Sequence, residues 1–238
     1  MEESRFNRNL IQQESSFLGR IKRIISNPTN EWQTIDIEES DNKKVIVSYL
    51  LPLLILSGII LVLEYGLYGK TFNYGEYETP IYLGWIFSIK SGLSSILCSF
   101  LTIIISAVII KALAESFKSV NNYNKSLQLI VYSSTPVWIG SLFSLIPIIA
   151  LVGSINGLFD FYPDPRWFNW ASIAGNIFGV YGLYIMYTGM IQLLKAPKEK
   201  AVGFVLVSAL IIFLAHYLLS FVVNFVLSIF FMGSYYSF

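Results

Sequence analysis

The sequence predicts an all-α membrane protein, a bundle of five transmembrane helices preceded by an amphipathic helix at the cytoplasmic surface. Three observations carry that reading. Apolar residues make up 55% of the 238 and charged residues only 13%, against roughly 25% charged in an ordinary soluble domain. The apolar residues fall in five long continuous runs, where a closed barrel would show short alternating segments. Lysine and arginine collect between alternate runs. Mean hydropathy is +0.61, and a net charge of +1 supplies no bulk field to draw in nucleic acid.

Residues 1–44 form a polar tail. No early apolar core marks it as a cleavable leader, so internal spans are expected to drive insertion. Within it stands "SFLGRIKRIISNPTNEW". At 100° per residue, Phe17, Leu18, Ile21, Ile24 and Ile25 share an arc of roughly 120°, flanked or opposed by Arg20, Lys22 and Arg23. Ser15 or Ser16 can cap the start, and Asn27-Pro28 ends the helix, because the residue before proline resists the helical region. A helix over 16–26 is therefore expected to lie in the interface, its cations facing the anionic leaflet at about 1 kcal/mol each. Docking onto a protein partner would give the same pattern. Trp32 and Ile35 continue the apolar face as a second short interfacial turn, and "DIEESD" reads as a solvated connector.

A hydrocarbon core about 30 Å thick needs roughly 20 apolar residues in a helix. Residues 45–67, 89–113, 127–153, 170–194 and 202–232 meet that length, leaving 233–238 as a short external tail. Orientation follows the basic residues. Arg5, Arg8, Arg20, Lys22, Arg23, Lys43 and Lys44 precede span one; Lys111, Lys118 and Lys125 lie between spans two and three; Lys195, Lys198 and Lys200 lie between four and five. Only Lys70, Lys90 and Arg166 remain for the opposite side. The N-terminus is expected in the cytoplasm and the C-terminus outside. The two outer loops are dense in Tyr, Trp and Phe, rings that favour the headgroup level; the other reading is a surface that recognises an external partner.

Polar groups inside the spans are the candidate functional residues. Pro136 and Pro147 each remove a backbone N–H in span three, with Ser133, Ser134 and Thr135 beside the first break. Such breaks form substrate sites in transporters, and they also serve as simple kinks. In span five Ser208, His216, Ser220 and Asn224 recur at multiples of four, and an ionisable group at this depth requires a partner. Ser133, Thr135, Pro136, His216, Ser220 and Asn224 together make the candidate intramembrane polar site. Ala171, Gly175 and Gly179 on span four, and Ser91, Ser95 and Ser99 on span two, are small-residue faces for helix packing. Tyr181, Tyr184 and Tyr187 need partners for their hydroxyls, and Glu64 lies near the outer end of span one. Cys98 reads as a small buried hydrophobe.

Enzyme signatures are missing: no paired metal-binding histidines, phosphate loop, cysteine pair or nucleophile elbow occurs. One histidine and one cysteine cannot build a His/Cys metal site within one chain. Neither catalysis nor a cofactor is expected.

Four short segments carry a family resemblance: "ISNPTNEWQTI", the early proline of "SYLLP", "VYSSTPVWIG", and "GVYGLYIMYTGMIQLLKAPKEKA". Their order and spacing over residues 17–231 resemble the Yip family of five-span membrane proteins (Ypt/Rab-interacting proteins), specifically its prokaryotic branch. The resemblance implies five membrane helices, a cytoplasmic N-terminus, no catalytic residues and, for that branch, residence in a bacterial inner membrane. Eukaryotic members are associated with small GTPases and show an Asp-Leu-Tyr-Gly-Pro signature at span one. Here "VSYLLP" keeps Tyr49 and Pro52 and lacks the Asp and Gly, which argues against carrying GTPase binding over. The expected partners are the lipid bilayer and another membrane protein or a second copy of the chain. Two roles remain open: a non-catalytic scaffold that organises membrane and partner proteins, and a component of a small transporter or channel.

Overall fold

The computed structural model describes residues 16–38, 41–67, 70–74, 77–81, 84–149 and 167–231. Two ten-residue helices open it, α1 (Phe17–Ser26) and α2 (Pro28–Ile37). Ser16 caps α1, its Oγ accepting the Gly19 N–H at 3.0 Å. Asn27 serves both helices. Its N–H donates to the Arg23 carbonyl at 2.8 Å and its Oδ1 accepts from the Asn30 N–H at 3.4 Å. Pro28 then occupies the first position of α2, where a missing N–H costs nothing.

Four helices among the described residues are long and apolar enough to cross a membrane: α3 (Asn42–Leu67), α4 (Gly84–Phe117), α5 (Tyr123–Ile149) and, at the end, α7 (Lys198–Phe231). Between α5 and α7 runs α6 (Trp167–Gln192), 26 residues or about 39 Å at 1.5 Å per residue. Prolines shape two of these helices. α3 widens into a π-type turn over Ile46–Leu50, just ahead of Pro52, whose ring crowds the carbonyl four residues back. α5 breaks at Ser134, between Tyr123–Ser133 and Thr135–Ser141, and tightens again at Leu142–Ser144. These are the places where Pro136 and Pro147 remove donors. Ser134 Oγ donates to the Ile130 carbonyl at 2.8 Å beside the first break.

One element departs from the helical expectation. Between α3 and α4, β1 (Lys70–Tyr74) pairs antiparallel with β2 (Tyr77–Ile81), Lys70 opposite Ile81 and Tyr74 opposite Tyr77. Thr71, Phe72, Tyr74, Tyr77 and Thr79 belong to the β-branched and aromatic types that suit a pleated ladder, and Pro80 is tolerated because a two-stranded ribbon is all edge. Residues 150–166 and the expected external tail 233–238 lie outside the described residues.

α4 is the centre of one half of the bundle, packing on α3 and α7; α6 packs on α5, α2 and α7. Glycines allow the closest approaches. A Cβ on Gly92 of α4 would come within 2.9 Å of the Gly58 carbonyl oxygen of α3, and one on Gly182 of α6 within 2.8 Å of the Ser133 carbonyl oxygen of α5. The three basic segments of the sequence meet at one end. The Val120 N–H and Ser119 hydroxyl both donate to the Leu194 carbonyl, at 2.8 and 2.7 Å, and Asn42 Nδ2 donates to Asn124 Oδ1 at 2.8 Å. α1 and α2 close over this end. At the bundle's flank α7 leaves Leu210, Phe213, Tyr217, Phe221 and Phe225 more than 60% exposed, the surface hydrocarbon covers in a membrane.

Candidate functional site

Two polar regions stand out, one at the capped end and one along the side. At the capped end the apolar face of α1 meets protein. Ile24 is fully buried with Trp32 and Ile35 of α2, and Phe17, Ile21 and Ile25 pack against that cluster. Phe17 meets Tyr49 edge to face at 5.5 Å, and Tyr49 meets Tyr132 at 4.8 Å. Trp32 is wholly enclosed and donates its indole N–H to the Ile185 carbonyl of α6 at 3.0 Å. Tyr181, also on α6, donates to the Ile25 carbonyl at 2.5 Å. The expected short interfacial turn at Trp32 and Ile35 is instead a helix turned inward.

Arg20 is the correction of most consequence. It is 7% exposed, and it faces the interior rather than a leaflet. The reason is legible on a helix wheel: Arg20 and Ile24, four apart, share a face. Its Nη1 donates to Glu31 Oε1 and its Nη2 to Glu38, each at 2.6 Å, while Arg23 Nε donates to Glu31 Oε2 at 2.7 Å. The guanidinium carbon also stands 5.7 Å from the centre of the Tyr132 ring, a cation–π distance. Burial pushes the Arg20 pKa down; the Glu38 hydrogen bond and the nearby Tyr132, Glu38 and Glu31 groups outweigh burial and hold it above its ordinary value. Two cations and two carboxylates therefore neutralise each other under α1, as burial of charge demands. Of the predicted surface-helix residues, Leu18 at 73% and Lys22 face outward.

The "DIEESD" connector is likewise tied down. Asp36 accepts from Lys125 and Lys195, both at 2.6 Å, linking α2 to the first turn of α5 and to the loop before α7. Burial would raise its carboxyl pKa, and the two lysine hydrogen bonds overcome that and hold it below the ordinary carboxylate range.

The expected intramembrane site divides in two. Ser133, Thr135 and Pro136 are buried at the break in α5. Thr135 Oγ1 pairs with the Tyr49 hydroxyl at 2.8 Å, while Ser133 Oγ is buried with no partner among the described residues. His216, Ser220 and Asn224 lie apart from them on α7, which packs chiefly on α4. There they line an open groove of about 360 Å³ with Lys90, Ser91, Ser94, Ser95, Cys98 and Ser99 of α4. His216 Nδ1 is 3.0 Å from Thr102 Oγ1 and 3.7 Å from Cys98 Sγ; Ser94 donates to Asn224 Oδ1 at 3.0 Å; Lys90 donates to Ser228 Oγ at 2.8 Å. Each stripe was readable on its own helix, but their facing one another was not.

The small-residue faces also redistribute. A Cβ at Gly175 or Gly179 would meet nothing within 4 Å, although Gly140 of α5 approaches the Gly175 Cα. Ser91, Ser95 and Ser99 look into the groove.

Among known families, the model of the Yip1 domain matches residues 22–221. That match names no branch, prokaryotic or eukaryotic. No curated protein and no solved structure matches the chain.

Proposed function

Because this chain belongs to the Yip1 domain family and carries apolar, span-length helices, we propose that it is an integral membrane protein that organises membrane and partner proteins without catalysing a reaction. In this reading α6 is span four and completes a set of five, the N-terminus is cytoplasmic, and the C-terminus is external across a bacterial inner membrane. The excess of lysine and arginine on the segments gathered at the capped end supports that orientation.

One observation carries the scaffold reading. α1 and α2 are not loose; the buried Arg20–Glu31 pair and the Trp32–Ile185 hydrogen bond hold them as a rigid platform. That platform presents Leu18 at 73% and Ile37 at 86% exposure, two large apolar side chains outside the membrane-crossing helices. A fixed surface of this kind suits a membrane interface or the helix of a partner. A photo-crosslinking residue at Leu18 or Ile37, used in cells, tests it. Adducts with another membrane protein or a second copy are expected. A monomer after solubilisation, with no protein adduct at either position, would remove the reading's main support.

The alternative role, a small transporter or channel component, draws on the α4–α7 groove alone. Thr135 is already engaged by Tyr49, and the residues of the α5 break are not among those that line the groove with His216. A cysteine in place of His216, in a Cys98→Ser background, should react with a membrane-impermeant maleimide if water fills the groove. Complete protection would exclude this role.

A further inference from the structure

The groove between α4 and α7 contains polar groups whose hydrogen-bonding capacity the protein does not use. Lys90 is half-buried in it. Among the described residues it makes one hydrogen bond, to the neutral Ser228 hydroxyl, and no ion pair. Ser91, Ser95 and Ser99 line the same wall, and none of the three makes a hydrogen bond among the described residues. In hydrocarbon, unsatisfied polar groups cost several kcal/mol each, and no water is present to satisfy them.

The lining also selects a charge. Among the described residues its one cation is Lys90, and no carboxylate lines it. Glu64, the acid of α3 next to the lining residue Tyr65, is not part of the lining. The unused side-chain groups are thus a cation and hydroxyls that can donate, so the missing partner is an anion rich in acceptor oxygens.

Depth narrows the source. α4 has 34 residues, about 51 Å, or some 20 Å more than a hydrocarbon core of about 30 Å. Shared between the two ends, the excess is about 10 Å each. Lys90, six residues after Gly84, lies about 9 Å into the helix. It stands at the level of lipid phosphates. From there the polar wall runs inward to Thr102 and His216, about 18 Å along α4. His216 and Asn224 are exposed on the open side, and Tyr217 and Phe221, at 72% and 71% exposure, adjoin that side on α7.

We propose that this groove is a binding site for the headgroup of an anionic phospholipid, with Lys90 and Ser91 holding the phosphate oxygens, Ser95 and Ser99 donating to the glycerol ester oxygens deeper along α4, and the acyl chains lying along α7. The proposal is independent of the scaffold reading.

The experiment is native mass spectrometry on the full chain purified in detergent and supplied separately with phosphatidylglycerol, phosphatidylcholine or glycerol phosphate. The wild type should retain phosphatidylglycerol in preference to phosphatidylcholine. Lys90→Met should lower that retention roughly tenfold, the effect of losing a charge-assisted hydrogen bond, and Lys90→Arg should restore it. Lys111→Met, at the other end of α4, should leave it unchanged. Should Lys90→Met fail to fold, the triple variant Ser91→Ala, Ser95→Ala, Ser99→Ala keeps the charge and must itself weaken retention. Glycerol phosphate binding as tightly as the lipid, with the same Lys90 dependence, would keep the anion site but assign it to a soluble phosphate ester. Retention indifferent to headgroup, or unchanged in both Lys90→Met and the triple variant, overturns the proposal.

Discussion

The capped end and the lateral groove handle polar groups in opposite ways. Under α1, Arg20, Arg23, Glu31 and Glu38 are matched charge for charge within hydrogen-bonding distance. Along α4 and α7, a lysine and three serine hydroxyls are left with capacity to spare. The first arrangement is closed, and what it does is hold two helices still. The second is open, and its energetics are complete only when something occupies it. A polar residue in a membrane protein is therefore informative through what it lacks as much as through what it touches.

Substitutions should separate the two regions by magnitude. The largest loss is expected from Arg20→Ala, which takes from Glu31, 3% exposed, one of its two cations and leaves it Arg23 alone, at about 3 kcal/mol. Thermal unfolding in detergent would read it. The double variant Arg20→Met, Glu31→Leu should recover most of that loss, since apolar replacement of a buried pair is often neutral. If the double variant is as unstable as the single one, the cap depends on more than paired charge.

Next in size is Tyr49→Phe, which deprives the fully buried Thr135 hydroxyl of its partner. A cost of about 1–3 kcal/mol is expected, again from unfolding midpoints. Thr135→Val in the same background should return part of it by removing the orphaned hydroxyl.

A smaller effect should follow pH. Asp36 is held below the ordinary carboxylate range, so its bonds to Lys125 and Lys195 contribute fully above that range. Their contribution fades as pH falls through the depressed value. The stability gap between wild type and Asp36→Asn should be widest near neutrality and narrow as pH falls below the ordinary carboxylate range. A gap constant with pH would mean that Asp36 acts through packing alone.

Ser95→Ala in the groove is expected to change stability least, within about 0.5 kcal/mol, because no hydrogen bond among the described residues is lost. A loss above about 1 kcal/mol would show that the groove is part of the structural core.

Much of the architecture was legible because its causes are local. Hydropathy over twenty residues marks a span, Ser16 and Asn27-Pro28 bound α1, and Pro136 interrupts α5 near where a missing donor must. The strands at Lys70–Tyr74 and Tyr77–Ile81 were local as well. Their Phe and Tyr content was attributed to headgroup affinity, and those rings, with the β-branched Thr, also favour a ladder. What could not be read was which helix lies beside which. Glu38 looked solvated because nothing local says that Arg20 reaches it. His216 required a partner, and Thr102 is 114 residues away in the chain.

Separation along the chain also sets a timetable for synthesis. Trp32 and the carbonyl it binds are 153 residues apart. At roughly 5–20 residues per second, a ribosome needs about 8–30 s to supply the second after the first. For that interval the nascent N-terminal helices have no seat, and the oily flank of Ile24 and Trp32 is on view to chaperones and proteases. A chain truncated before α6 should be recognised as damaged by its opening residues, although nothing in those residues has changed.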